Sequence, residues 1–386
     1  MKSVLRLIAL TCGLIALLVT VAAVCNGEDA IDRNRAKALY DKSKAGIKLT
    51  DEEQKYLDRA IQELRKANDR APDPAPDPAR PAPEVSNEKR EELKSTGFKP
   101  LTEMTADDRY KGEDGGLYGG GKHEPPMAYQ LAVREAAQKI TPLDSQGRPS
   151  KDGKIVFISL GMSNTYGEFR MFKEIADLDP QKSPEVLIVN CAIGGAGVSS
   201  WAKPQSGTWQ QAVGRLKEAG VTVEQVQAAW IKHAEPGPSP DTFPLQYAKK
   251  VREDIASSLA ITKSTFPNMK VAYLSSRIYG GYNIAGIRRV NPEPFAYETA
   301  FSVRWIIQDR IKSETNGKRG GPVLLWGPYL WADGITPRKS DKLVWERKDL
   351  SDDGVHPSPI GGQKVAHLLL EFFKNDVSAK AWFLKK

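Results

Sequence analysis

Three groups of residues have the types and spacing that nucleophilic chemistry needs. Ser163 lies in Gly161-Met162-Ser163-Asn164, directly after the apolar run 154–160. Such a run closed by glycine reads as a buried strand ending in a tight turn. A serine at the carboxyl end of that strand faces the crevice in which open α/β sheets bind ligands, which makes it a candidate nucleophile. Taken alone it reads equally well as a loop or helix-capping serine. Asp353 and His356, in Asp353-Gly354-Val355-His356-Pro357, form the second group. A carboxylate three residues before an imidazole can reach it and fix its tautomer, leaving the other nitrogen to act as general base. The third group is Gly194-Gly195-Ala196-Gly197, after the apolar run 185–192. Its backbone amides could donate to an oxyanion, because glycine lets the backbone approach a substrate closely. Together these groups would carry out acyl transfer to Ser163 and hydrolysis by water activated through His356, with no metal and no cofactor.

The elements that must hold these residues follow from the apolar pattern. Runs at 154–160, 185–192, 226–231, 270–275 and 322–326 alternate with helical patterns such as 244–261, 295–311 and 360–373. Five strands with intervening helices predict an α/β fold, a five-stranded parallel sheet covered on both faces. A dinucleotide-binding reading fails on spacing, since no Gly-x-Gly-x-x-Gly follows the first strand and no acidic residue takes the ribose position. Tyr279 and Asn283 follow the fourth run and Trp331 follows the fifth, which sets them at the carboxyl edge of the sheet. With Asn164 and Trp201 they are the expected substrate-binding residues, although aromatics at such positions also simply pack.

The order of these motifs resembles the SGNH, or GDSL-like, hydrolase superfamily, and within it the sialate O-acetylesterase-like branch, over residues 154–373. Gly161-Met162-Ser163-Asn164 matches the branch's Gly-x-Ser-Asn, Gly194 through Trp201 echoes its Gly-Gly-x-x-x-x-x-Trp, and Asp353 with His356 supplies Asp-x-x-His. The resemblance implies a flavodoxin-like three-layer α/β/α sandwich. It makes Ser163 the nucleophile, His356 the base and Asp353 its orienting partner, with oxyanion donors at the Ser163 amide and at Gly195 beside Gly194. It also implies a serine esterase that removes acetyl or other small acyl groups from carbohydrates. One block departs from the pattern. After the third strand the superfamily places Gly-x-Asn-Asp, or its acetylesterase branch Trp-x-Gln-Gly-Glu, whereas this chain reads Trp230-Ile231-Lys232-His233-Ala234-Glu235-Pro236. Lys232 or His233 would then supply the missing donor. The alternative is a non-catalytic carbohydrate-binding or surface-interaction protein on the same scaffold.

At 386 residues and 40% hydrophobic composition the chain can hold one large domain and something smaller, which excludes disorder throughout. The net charge of +8 is spread through both signs without a basic block, so no nucleic-acid partner is expected, and the partner is a small-molecule or carbohydrate ester. No feature sets an oligomeric state. Residues 1–27 have the layout of a secretory signal peptide, with Lys2 and Arg6 before an apolar run that ends in Ala22 and Ala23. Cleavage leaves no membrane span and sends the chain to the periplasm, the cell surface or the medium; the other reading is an uncleaved anchor. Residues 28–70 suggest a helical hairpin with apolar positions at Ala36, Leu39, Tyr40, Tyr56, Leu57, Ile61 and Leu64, and with a capping box at Thr50 and Glu53. A proline-rich linker (71–84) follows, then a strap (85–150) with a helix near 127–140, leading into the main domain (151–386). Beyond the leader and its border, Cys191 is the remaining cysteine and reads as a buried, inert thiol.

Overall fold

The apolar runs become strands because each is flanked by turn residues and lies between amphipathic segments long enough to cover it. The computed structural model describes residues 35–36, 38–39, 42, 49–69, 94–238, 243–283, 291–318 and 320–386. The expected leader and the proline-rich linker lie outside them. The chain divides into two compact units, Met1–Leu64 and Arg65–Lys386.

In the first unit, helix α1 (Asp51–Asp69) begins as its sequence indicated. Thr50 Oγ1 accepts from the Glu53 amide at 3.2 Å, while Glu53 Oε2 accepts from the Thr50 amide at 3.0 Å. Residues 35–36, 38–39 and 42 are also helical. Lys42 meets Glu53 at 2.9 Å, the Arg35 guanidinium lies 4.2 Å from the Tyr56 ring centroid, and Ala36, Leu39, Leu57 and Ala60 are buried. The other expected apolar positions, Tyr40, Ile61 and Leu64, have side chains outside the description.

The second unit opens with the strap, which carries α2 (Met127–Gln138). Then follow β1 (Ile155–Gly161), α3 (Ser163–Leu178), β2 (Val186–Asn190), α4 (Val198–Trp201), α5 (Gly207–Glu218), β3 (Val226–Lys232) and α6 (Gln246–Thr265). The chain ends with β4 (Val271–Leu274), α7 (Phe295–Thr315), β5 (Val323–Trp326), α8 (Pro359–Asn375) and α9 (Lys380–Phe383). All pairings among these strands are parallel, in the order β2-β1-β3-β4-β5, which is the order of flavodoxin-like doubly wound sheets. β1, β3, β4 and β5 are buried along their whole length, which explains their unbroken hydrophobic runs.

Helix α3 packs with α8, and α6 with α7. Phe157 of β1 anchors an aromatic cluster with Phe169 of α3, Phe373 of α8 and Trp382 of α9, at ring separations of 5.3, 4.7 and 5.4 Å. Buried aromatic edges and faces at such distances add to the area term.

Side chains engage outward backbone groups on both flanks of the sheet. Val323 donates to Lys270 on the β4 side, so the polar groups of Leu324 point outward. There the Tyr129 hydroxyl of α2 accepts from Leu324 N and donates to Leu324 O. On the β2 side, Lys182 Nζ donates to Val186 O and Arg215 to Asn190 O. The strap is tied in at its start as well, where the Asp333 carboxylate accepts from Ser95 Oγ, Thr96 N and Oγ1, and Gly97 N. Cys191 is free and buried, and burial pushes its thiol up to about 12. No helix among the described residues is long and apolar enough to cross a membrane.

Candidate active site

Ser163 is the first residue of α3 and follows β1 through a sharp turn. Gly161 is required in that turn, because a Cβ there would collide with Thr165 Oγ1 and the Lys232 carbonyl. As the first helical residue, Ser163 has an amide with no acceptor within the helix, and among the described residues its N–H donates to no other group, at the positive end of the helix dipole. The Ile193 amide donates to the Gly161 carbonyl at 2.9 Å, bringing the turn after β2 beside Ser163. In that turn Gly195 is exposed with φ +74°, and among the described residues neither its amide nor that of Gly194 donates a hydrogen bond. The amides of Ser163, Gly194 and Gly195 are thus three backbone donors without an acceptor among the described residues in two turns joined at Gly161 and Ile193, the kind of donor set an oxyanion needs.

The histidine arrives from the other end of the chain. Its loop folds back on itself, with Ser351 N donating to His356 O at 2.8 Å and Ser358 N to Asp349 O at 2.8 Å. Asp353 Oδ1 accepts from the amides of Val355 and His356 at 2.9 and 3.0 Å, and Oδ2 lies 2.5 Å from His356 Nδ1. His356 Nε2 is 2.8 Å from Ser163 Oγ. Burial raises the Asp353 pKa, but the hydrogen bonds from the His356 ring and from both amides outweigh it and hold the carboxyl well below the usual carboxylate range. Asp353 is therefore an anion at neutral pH, placed to stabilise an imidazolium. All three residues are only partly buried, so the line of hydrogen bonds opens to a substrate.

Asn164, expected to touch substrate, instead holds the site together: it is buried, and its Nδ2 donates to Val355 O at 3.0 Å, pinning the histidine loop to the start of α3. Gly354 closes the same joint from the other side. It has φ +65°, and a Cβ there would collide with the Tyr282 carbonyl. Asn283, half-buried and next to Tyr282, therefore sits at the edge of the site.

Other expectations need correction. Lys232 and His233, read as oxyanion donors, are buried and turned to other partners. Lys232 Nζ forms an ion pair with Glu168 on α3, and His233 Nε2 lies 3.2 Å from Ser258 Oγ on α6. Burial pulls Lys232 down to about 8 against the opposing pull of Glu168, and pulls His233 down to about 3, so His233 is neutral. Trp201, Tyr279 and Trp331, expected to bind substrate, are interior residues. Trp201 packs edge-on to Trp209 at 4.9 Å, and Trp331 Nε1 donates to Glu293 Oε1 at 2.8 Å. Strand-end position set them near the edge of the sheet, but the need to bury large rings set their direction.

Glu235 belongs to the site without carrying a recognisable motif of its own. Its carboxylate accepts from Ser199 N and Ser199 Oγ, both at 2.9 Å, and leaves no room for a side chain at Gly197. It thereby locks the turn after β2 to the chain leaving β3 and stabilises the loop that presents Gly194 and Gly195. An acidic residue a few positions after the third strand was the available signal. Among the described residues, no group of three or more His, Cys, Asp or Glu could hold a metal ion.

No protein-family model and no curated protein matches this chain. Solved structures do align with it. A Bacillus subtilis protein shares 12% identity at a TM-score of 0.29 over 59% of this chain, and the salicylyl-acyltransferase SsfX3 of a tetracycline biosynthetic pathway shares 12% at 0.30 over 58%. The periplasmic domain of a lipopolysaccharide acetyltransferase from Salmonella ser. Paratyphi A shares 11% at 0.32, over 65% of this chain and 95% of its own. The chain spans 57% and 55% of the length of the first two. Likeness at this level does not specify an activity.

Proposed function

We propose that this chain is a serine ester hydrolase with Ser163 as nucleophile, His356 as base and Asp353 as the group that orients the base. The observation that carries the reading is the unbroken line from Ser163 Oγ through His356, 2.8 Å on one side of the ring and 2.5 Å on the other. In the reaction, Ser163 Oγ attacks the acyl carbon as Nε2 takes its proton. The carbonyl π electrons move onto oxygen, which the amides of Ser163 and Gly195 receive. Collapse of this intermediate returns the Nε2 proton to the departing alcohol and leaves an acyl-enzyme. Water then repeats the sequence, with Nε2 taking its proton and the acid leaving from Ser163.

The SGNH-type order of motifs supports placing the chain in that superfamily. Small acyl groups on carbohydrates, with acetyl foremost, are the substrate class the sialate O-acetylesterase-like resemblance favours, and the leader-like N-terminus favours export. Ser163→Ala should lower turnover of 4-nitrophenyl acetate and of acetylated sugars by at least about 10³-fold with the fold retained. A fluorophosphonate probe should label the wild type at Ser163 and leave the variant unlabelled. Wild-type protein that neither labels nor turns over any ester, yet binds acetylated glycans, would instead identify the non-catalytic binding protein.

A further inference from the structure

The donor missing after β3 leaves an electrostatic question that the end of β4 answers. The carboxyl ends of β1, β3 and β4 stand in a row: Gly161 is level with Lys232, and the Ser275 amide donates to the Ile231 carbonyl at 3.0 Å, placing Ser275 level with Lys232 on its far side. Ser163 follows Gly161 by two residues and Arg277 follows Ser275 by two, so the two flank Lys232 at neighbouring strand ends. Arg277 is 2% exposed, its amide is held by Thr299 Oγ1 at 3.0 Å, and among the described residues its Nε and Nη1 make no hydrogen bond. Among the described residues, the carboxylates of Glu168, Glu293 and Asp353 act on it most strongly. Each is engaged elsewhere: Glu168 with Lys232, Glu293 with Trp331 and two amides, and Asp353 with His356. A guanidinium remains protonated at any ordinary pH; Lys232 and Glu168 offset one another, burial pushes Glu293 toward the neutral acid, and once His356 takes the Ser163 proton its imidazolium offsets Asp353, which leaves the charge of Arg277 to face the oxyanion. A buried cation with unpaired donors is costly to keep, and at this position the anion that would offset it is the one formed during acyl transfer.

We propose that Arg277 is a positioning residue for the ester hydrolysis described above, supplying through its field the positive potential for the oxyanion at Ser163 that a side-chain amide after β3 would otherwise supply. The proposal rests on that reading of the site. Two strand spacings are about 10 Å, and a unit charge at that range in an effective dielectric of about 20 changes a rate by roughly 10- to 20-fold.

The test is steady-state kinetics on 4-nitrophenyl acetate with the full chain, together with the rate of fluorophosphonate labelling. Arg277→Gln should lower kcat by about 10- to 20-fold, leave KM within about twofold, and slow labelling in parallel. Arg277→Lys keeps the charge but loses the planar donors, and should return kcat to within about threefold of wild type. Wild-type kcat in Arg277→Gln overturns the proposal. So does an equal fall in both variants accompanied by a higher KM and a lower melting temperature, which marks a packing role. If Arg277→Gln does not fold, Arg277→Met set beside Arg277→Lys decides: kcat near wild type in the lysine variant with a fall of about tenfold in the methionine variant supports the field, and equal kcat in the two overturns it. A wild type that turns over no ester overturns the esterase reading itself, whereas an active wild type with an indifferent Arg277→Gln overturns this proposal alone.

Discussion

Asp353 performs two tasks with one carboxylate, because Oδ1 shapes the turn through two amides while Oδ2 sets the imidazole. Asp353→Asn should keep the turn but offer the ring a less favourable partner and no negative charge, lowering kcat by about 10³- to 10⁴-fold while the circular dichroism spectrum stays that of the wild type. The pairing was legible in the sequence because a carboxylate three residues before a histidine reaches it through local geometry alone. Lys232 was not legible in the same way. A strand buried on both faces hides which way each side chain points, and its partner Glu168 lies on another element 64 residues away. Arg277 escaped notice for a related reason, since one arginine after a strand reads as a solvated charge until its burial is known.

Among the elements, the five strands and the long helices were visible as runs and periods, and their ends fall within a few residues of the expected ones. The loops between them were not, because their course depends on contacts made across the sheet. Gly354 is an example: φ +65° and the nearby Tyr282 carbonyl both exclude a side chain, so Gly354→Ala should cost about 1–3 kcal/mol of stability in chemical denaturation and lower turnover by shifting His356. Glu293 is another. It accepts from Gly280 N, Tyr297 N and Trp331 Nε1, tying the chain after β4 to α7 and to the chain after β5. Burial raises its pKa to about 7, even though these three donors pull it down. The folded state therefore holds a proton that the unfolded chain releases near pH 4.3, so this contribution is full below that pH and is lost as pH rises through 7. The melting temperature should fall between pH 5 and 7.5 in the wild type, and the Glu293→Gln variant should lack that component of the slope.

For the whole molecule, the division at Leu64 and the anchoring of residues 95–97 on Asp333 make different demands on the N-terminal quarter of the chain. A chain starting at Arg65 should retain ester turnover close to that of the full chain. One starting at Lys99 loses the bonds to Asp333 and leaves that carboxylate unpaired, so it should melt several degrees lower. The sequence marked 85–150 as a strap but gave no sign of what it fastens to, since its partners are hundreds of residues away.

The hydroxyl of Tyr129 on Leu324 has a further consequence. An outer strand with free amides and carbonyls is a template on which an extended peptide, or another copy of the chain, can lay down a new strand. At Leu324 both groups are already engaged by one side chain, and on the opposite margin Lys182 and Arg215 place charge where a newcomer would have to pair. Each margin thereby carries side chains that a sixth strand would have to displace, and Tyr129→Phe would free the amide and carbonyl of Leu324.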